Sequence, residues 1–217
     1  MILHEQFELE VLSALQSGRF LTDLIFGGGT MLRLCHGLDR YSVDLDFWVI
    51  KNMDWAKFYN RLEGYLRQSY TITDSVNKHF TLLFELKSPK YPRALKIEIR
   101  KETKKVRTET SIAYSPHSTT QVMVKTVALA DMMKSKIESF LDRKEIRDAY
   151  DIEFLLKKGI PLEITGVLSS RILVALRELG KKDFSVKLGA IISAEQRKYY
   201  QENRFRILET ALKERCA

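Results

Sequence analysis

Two aspartates, Asp44 and Asp46, interrupt the otherwise apolar stretch YSVDLDFWV. On a β-strand, residues two apart point to one face, so this pair projects together while Val43, Leu45 and Phe47 face the other way. Two carboxylates held so close repel unless positive charge lies between them. A divalent cation meets that need, since Mg²⁺ is typically held by one or two carboxylates plus the phosphate oxygens of a substrate. The competing reading is a strand whose polar face meets water. Trp48 and Ile50, which continue the aspartates' face, weigh against it. A third acid, Glu98 in LKIEIR, stands on the opposite face from Ile97 and Ile99 and between Lys96 and Arg100. It is either half of a cross-strand ion pair or, beside Asp44 and Asp46, the third carboxylate of a cage.

The run FGGGTML offers chemistry of the opposite sign. Glycines let backbone N–H groups approach a phosphate, and a helix beginning near Thr30 presents its positive end to an anion. A tight strand-to-helix turn would use the same glycines. The run matches neither the Walker pattern nor the dinucleotide fingerprint. Order adds weight to the phosphate reading: strand, Gly-Gly-Thr, helix, then Asp-x-Asp on the next strand bring phosphate donors and carboxylates to one sheet edge.

These groups need a scaffold, and hydrophobic periodicity supplies one. HEQFELEVLSALQSGRF spaces Phe7, Val11, Leu12 and Leu15 for a helix ending at Gly18. LTDLIF reads as a short strand, and the helix after the glycines closes at Gly37. NMDWAKFYNRLEGYLRQ places Trp55, Phe58, Tyr59, Leu62 and Leu66 on one helical face, to pack on the sheet. Two alternating runs follow, HFTLLFEL with Phe80, Leu82, Phe84 and Leu86 on one face, and ALKIEIRK with Leu95, Ile97 and Ile99 on one face. The turn KSPKYPR joins them as an antiparallel ribbon. Beyond about Ser118 the periods are helical, in VKTVALADMMKSKIESFLDR, EIRDAYDIEFLLKKG and two or three further helices, which puts a domain boundary there.

A chain of 217 residues can bury a proper core and divide in two. Cys35 and Cys216 lie far apart without metal-type spacing, against a disulfide scaffold or structural zinc and in favour of a reducing cytoplasm. MILHEQFELEVL carries acids where a signal peptide carries a basic region, and no apolar run approaches the ~18 residues that span a bilayer, so a soluble protein with no membrane partner is expected. The net charge of +8 suits a polyanionic partner. Its densest run, residues 87–107, is either an RNA-facing ribbon or a solvated edge that resists aggregation.

Together, GGTMLRLCHGLDRYSVDLDF resembles the nucleotidyltransferase superfamily signature of Gly-Gly/Ser, a short helix and Asp-x-Asp, and specifically the AbiEii/AbiGii abortive-infection toxins of type IV toxin–antitoxin systems. LADMMKSKIESFLDRKEIRDAYDIEFLL is similar to that family's later motifs, a Lys in one helix followed by Arg-Asp-x-Tyr-Asp opening the next. The resemblance implies an α+β fold, a mixed-sheet nucleotidyltransferase (DNA polymerase beta-like) domain over residues 1–117 followed by an all-helical domain over 118–217. It implies that Gly28, Gly29 and Thr30 hold a triphosphate, that Asp44 and Asp46 bind metal with Glu98 as the third carboxylate, and that Lys136 contacts the nucleotide. Asp148 would be a further catalytic acid, with Arg40 and Ser42 supporting nucleotide binding. Taken from the residues alone, Lys136 is also readable as one more exposed lysine, Arg147 and Asp151 as a surface helix pair, and Tyr150 and Ile152 as core.

The expectation is therefore a cytoplasmic transferase, dependent on Mg²⁺ or Mn²⁺, that moves a nucleoside monophosphate from an NTP to an acceptor. RNA, including tRNA, is the favoured acceptor, with a small molecule or protein as alternatives, and a cognate antitoxin is the implied partner. The rival is a protein that keeps the fold for binding nucleic acid or a partner after its site has decayed. The intact set of Gly, Thr, Asp, Asp and Lys argues against that rival.

Overall fold

The computed structural model describes residues 2–215, so Cys216 lies outside the described residues. The chain forms two compact units. One comprises the residues up to Gly37 together with Tyr41–Ala128, the other Leu38–Arg40 together with the residues from Leu129 onward.

The first unit is built on a seven-stranded mixed sheet. Its elements are α1 (Ile2–Ser17), β1 (Ile25–Gly27), α2 (Gly28–His36), β2 (Asp44–Val49), α3 (Trp55–Leu66), β3 (Thr71–Asn77), β4 (Thr81–Lys87), β5 (Leu95–Thr103), β6 (Thr108–Ala113) and β7 (Val122–Val127). The strand order is β3-β4-β5-β2-β1-β7-β6. β2 lies between β1, to which it is antiparallel, and β5, to which it is parallel. Period-two alternation sends Leu45 and Phe47 of β2, Leu82, Phe84 and Leu86 of β4, and Leu95, Ile97 and Ile99 of β5 into the core. That burial locks the register. A slip of one residue would expose Leu45 and Phe47, at about 1.5–3 kcal/mol each, and would drive Asp44 and Asp46 inward.

Three expectations need correction. Phe80 does not join the core face of β4: it precedes the strand in a turn and is 72% exposed. Ile50 lies past the end of β2 and is exposed, whereas Trp48 is buried with the Lys104 ammonium 4.8 Å above its ring. Residues 118–128 are not helical either. Val122–Val127 is a strand that buries Val122, Val124 and Val127, so the sheet unit runs on to Ala128 rather than ending at residue 117. Its apolar residues at 122, 124 and 127 fit a strand pairing β6 on one side and β1 on the other, and tertiary pairing decided the matter.

The second unit contains α4 (Leu129–Arg143), α5 (Ile146–Lys157), α6 (Gly166–Glu178), a π-helical turn (Asp183–Leu188), α7 (Ala194–Asn203) and α8 (Arg206–Glu214). Local chemistry sets several of its boundaries. Thr165 caps α6 through its hydroxyl, and Ser193 and Gln196 form a capping box at α7. The expected stripe of Met133, Ile137 and Phe140 on α4 is buried. No helix of the described residues is long and apolar enough to cross a membrane.

Candidate active site

One row across the sheet carries the glycine turn and two of the three acids. Gly27 at the end of β1 stands opposite Asp46 on β2, and Asp46 stands opposite Glu98 on β5. Asp44, two residues back, shares the face of Asp46, and all three acids are partly exposed. At the next step α2 begins. Gly28 has φ +73°, a left-handed conformation in which side chains are strained, and a Cβ there would sit 2.9 Å from both Cβ and Cγ of Asp46 and closer still to its carboxylate. Glycine is thus required twice at this position, and the first turn of α2 is pressed against Asp46. No side chain caps that helix N-terminus, and the Thr30 hydroxyl is buried without a hydrogen-bond partner. Ser42 lies in the segment leading into β2, partly exposed.

Glu98 does not form the cross-strand ion pair. It lies 3.9 Å from Arg100, two residues along the same strand, in a solvent-exposed pair worth about 0–1 kcal/mol. Among the described residues no three His, Cys, Asp or Glu side chains close into a finished metal cage. Mg²⁺ does not ask for one, because it keeps waters and takes substrate phosphate oxygens alongside one or two carboxylates. Three partly exposed carboxylates on one face therefore fit that ion, whereas they would not fit a metal needing closed coordination by protein groups.

Helix α1 secures the chain just ahead of Asp44. The His4 imidazole donates from Nε2 to the Val43 carbonyl at 2.9 Å. Glu8 lies 3.6 Å from the same nitrogen, a separation that suggests an ion pair. Burial argues otherwise, because it lowers the His4 pKa and, with the charge of Glu5 nearby, holds the Glu8 carboxyl well above the usual carboxylate range. Both shifts favour the uncharged forms, so burial works against an ion pair here. Glu5 accepts hydrogen bonds from Arg33 Nε at 2.7 Å and from the Ser115 hydroxyl at 2.6 Å, tying α1 to α2. None of these residues stood out in the sequence. The signal was the helical line Glu5, Glu8, Leu12, Leu15, which runs two acids into an apolar stripe.

The helical unit holds a buried ion network. Arg40 grips Asp151 with both arms, at 2.6 and 2.7 Å, and Lys136 of α4 approaches the same carboxylate to 2.6 Å. Asp148, one turn earlier on α5, takes Arg143 at 2.9 Å and Lys136 at 3.5 Å. Burial pushes the Asp151 carboxyl up, but Arg40 and Lys136 outweigh it and hold the pKa below the usual carboxylate range. Burial likewise works against the charge of Arg40, and pairing with Asp151 more than restores it. Three cations, Arg40, Lys136 and Arg143, thus share the two buried carboxylates Asp148 and Asp151.

Two plain readings of the helices fall here. Lys136 is 9% exposed and is not one more surface lysine. Asp151 is fully buried while Arg147 is exposed, so they form no surface pair; Arg40 and Lys136 hold the carboxylate inside. Tyr150 and Ile152 are core, as read. The basic run of residues 87–107 spans the β4–β5 turn and β5, with Lys90, Lys96 and Lys105 exposed. Cys35 is no nucleophile, since burial pushes its thiol up to about 12.

Residues 10–213 match the family model described as "Nucleotidyl transferase AbiEii toxin, Type IV TA system". No curated protein sequence matches. Among solved structures, the chain is similar to JHP933 from Helicobacter pylori, with a TM-score of 0.57, 17% identity, and 96% of this chain and 93% of that one covered. It is also similar to MenT4, a nucleotidyltransferase toxin from Mycobacterium tuberculosis, with a TM-score of 0.53, 16% identity, and 97% and 85% covered. At these identities the structures speak to the fold, and they agree on it.

Proposed function

The chain belongs to the family of AbiEii nucleotidyl transferase toxins of type IV toxin–antitoxin systems, and from that premise we propose that it moves a nucleoside monophosphate from an NTP to a hydroxyl of an RNA acceptor. The acceptor oxygen bonds to the α-phosphorus, the α–β bridging P–O bond breaks, and pyrophosphate leaves with the bonding electrons. The acceptor proton passes to one of the carboxylates of the sheet row. A cognate antitoxin is the expected counterpart in the cell.

The observation that carries this reading is the row Gly27–Asp46–Glu98, with Gly28 pressed against Asp46. Backbone N–H groups at the start of α2, from Gly28, Gly29 and Thr30, suit a triphosphate. Asp44, Asp46 and Glu98 would hold Mg²⁺ or Mn²⁺, whose charge would polarise the phosphoryl oxygens and offset the negative charge that grows on the leaving pyrophosphate. In the helical unit, Lys136, held between Asp148 and Asp151, is the residue that the family resemblance assigns to the nucleotide. Asp148 and Asp151 are too buried to meet a substrate, and their part is to orient Lys136, Arg40 and Arg143. The exposed lysines of residues 87–107 and the net charge of +8 favour RNA over a small molecule as acceptor.

Incubating the protein with each α-labelled NTP, Mg²⁺ and total RNA tests the reading. Label should enter RNA with release of pyrophosphate. Label that enters protein or a small molecule instead would keep the transferase and overturn the RNA acceptor, and no transfer from any NTP would overturn both.

A further inference from the structure

In the helical unit a pocket of about 330 Å³ opens between α5 and α7, at the small end of ligand cavities. Its walls are aromatic. Tyr150 and Tyr200 are buried with ring centroids 5.1 Å apart, Tyr199 stands edge-on to Tyr200 at 5.2 Å, and Tyr199 remains 39% exposed at the mouth. Lys157 sets its ammonium 5.3 Å from the Tyr200 ring centre while pairing with Glu153 at 3.0 Å. The rim is acidic, with Asp39 and Glu195 both exposed. Asp39 is held in place by the Tyr150 hydroxyl and the Gln196 amide, which between them use two of the roughly four acceptor positions of a carboxylate and leave the others open.

An aromatic slot whose rim presents carboxylate acceptors suits a flat ring with N–H donors on its edge. The chain links this slot to the ion network: Asp39 adjoins Arg40, and Tyr150 adjoins Asp151. The same segments thus carry stacking surface and acceptors next to residues of the buried ion network. Stacking surface edged with acceptors suits the base of a nucleotide. We propose that this pocket binds a nucleobase bearing an exocyclic amino group, that of adenine, cytosine or guanine, whose two N–H bonds can serve both Asp39 and Glu195, and discriminates against uracil, whose single N3–H can serve only one of them. The ligand class rests on the nucleotidyl-transfer reading, and the preference among bases rests on the pocket alone.

The test is a titration of the full chain, without divalent metal, with AMP, CMP, GMP and UMP, followed by NMR of the tyrosine ring protons. The three amino-bearing nucleotides should bind about tenfold or more tightly than UMP, the scale of a hydrogen bond to a charged acceptor. Tyr199→Ala should weaken all of them about tenfold, as the loss of one base–aromatic stack does. Glu195→Ala, at an exposed position, should narrow the gap to UMP. UMP binding as well as the others, or both variants binding like wild type, overturns the inference. Binding as described without transfer from any NTP would leave the pocket standing and overturn the transferase reading; transfer with no monophosphate in the pocket would do the reverse.

Discussion

Gly28 and Gly37 allow the coupling between the glycine turn and Asp46 to be isolated. Both glycines adopt left-handed backbone, with φ of +73° and +75°, at the two ends of α2. Alanine at either position costs about 1–2 kcal/mol for that conformation. The surroundings differ. At Gly37 a Cβ meets nothing within 4 Å, so backbone strain is the whole effect. At Gly28 the Cβ would stand 2.9 Å from Asp46 Cβ and Cγ, where ordinary contact is 3.4–4 Å, so the acid or the helix start must shift by about half an ångström or more. Displacement by about 1 Å at a positioned reacting group costs on the order of a hundredfold in rate. Gly37→Ala should therefore lose about 1–2 kcal/mol in denaturant unfolding and keep transfer within a few-fold of wild type, whereas Gly28→Ala should lose at least as much stability and about a hundredfold in transfer of label from α-labelled NTP. If the two variants transfer label equally well, the contact between α2 and Asp46 has no part in catalysis and the site is wrongly built.

Glu98→Gln should remove most metal-dependent transfer while changing the unfolding free energy by less than about 1 kcal/mol, because the pair it loses with Arg100 is exposed; unchanged transfer would make Glu98 a bystander. Lys136→Ala should cut transfer by roughly ten- to a thousandfold and Lys134→Ala, on an exposed position, should leave it alone, so equal activities would remove α4 from the mechanism. Asp151→Asn should cost about 3–5 kcal/mol at neutral pH by breaking a buried charge cluster, read by denaturant unfolding; a loss under 1 kcal/mol would mean that Arg40 and Lys136 find other partners. The same carboxyl has a depressed folded pKa, so its contribution is fully present above the unfolded value of about 3.9 and is lost as pH falls through the lower folded value. Melting temperature between pH 5 and 2 should accordingly fall more steeply for wild type than for Asp151→Asn.

The sequence made the sheet centre legible because there local pattern and tertiary role agree. Leu45 and Phe47 alternate with the aspartates, and the β4 and β5 runs alternate as cleanly, so strand type, face and pairing followed from period two. The strands of residues 108–113 and 122–127 were hidden. Their pairing partners lie far away in sequence or follow a loop, and Thr108–Ala113 is mostly exposed, with little apolar alternation to detect. The acid pair announced itself because two carboxylates in an apolar strand are costly, while the buried pairs of α5 did not, because Arg147 and Asp151 at helical spacing look the same whether solvent or Arg40 meets the carboxylate. Arg40 shows the limit most clearly: four residues before Asp44, it belongs to the helical unit rather than to the sheet.

The central claim, nucleotidyl transfer at the acids of β2, is tested most directly by supplying wild type and Asp46→Ala with NTP labelled either at the α- or at the γ-phosphate, together with Mg²⁺ and RNA. Wild type should pass α-label to RNA, release γ-label in pyrophosphate, and lose α-transfer on Asp46→Ala, with circular dichroism checking that the variant keeps the fold. Transfer of γ-label to RNA, or α-transfer by Asp46→Ala at the wild-type rate, would contradict the account.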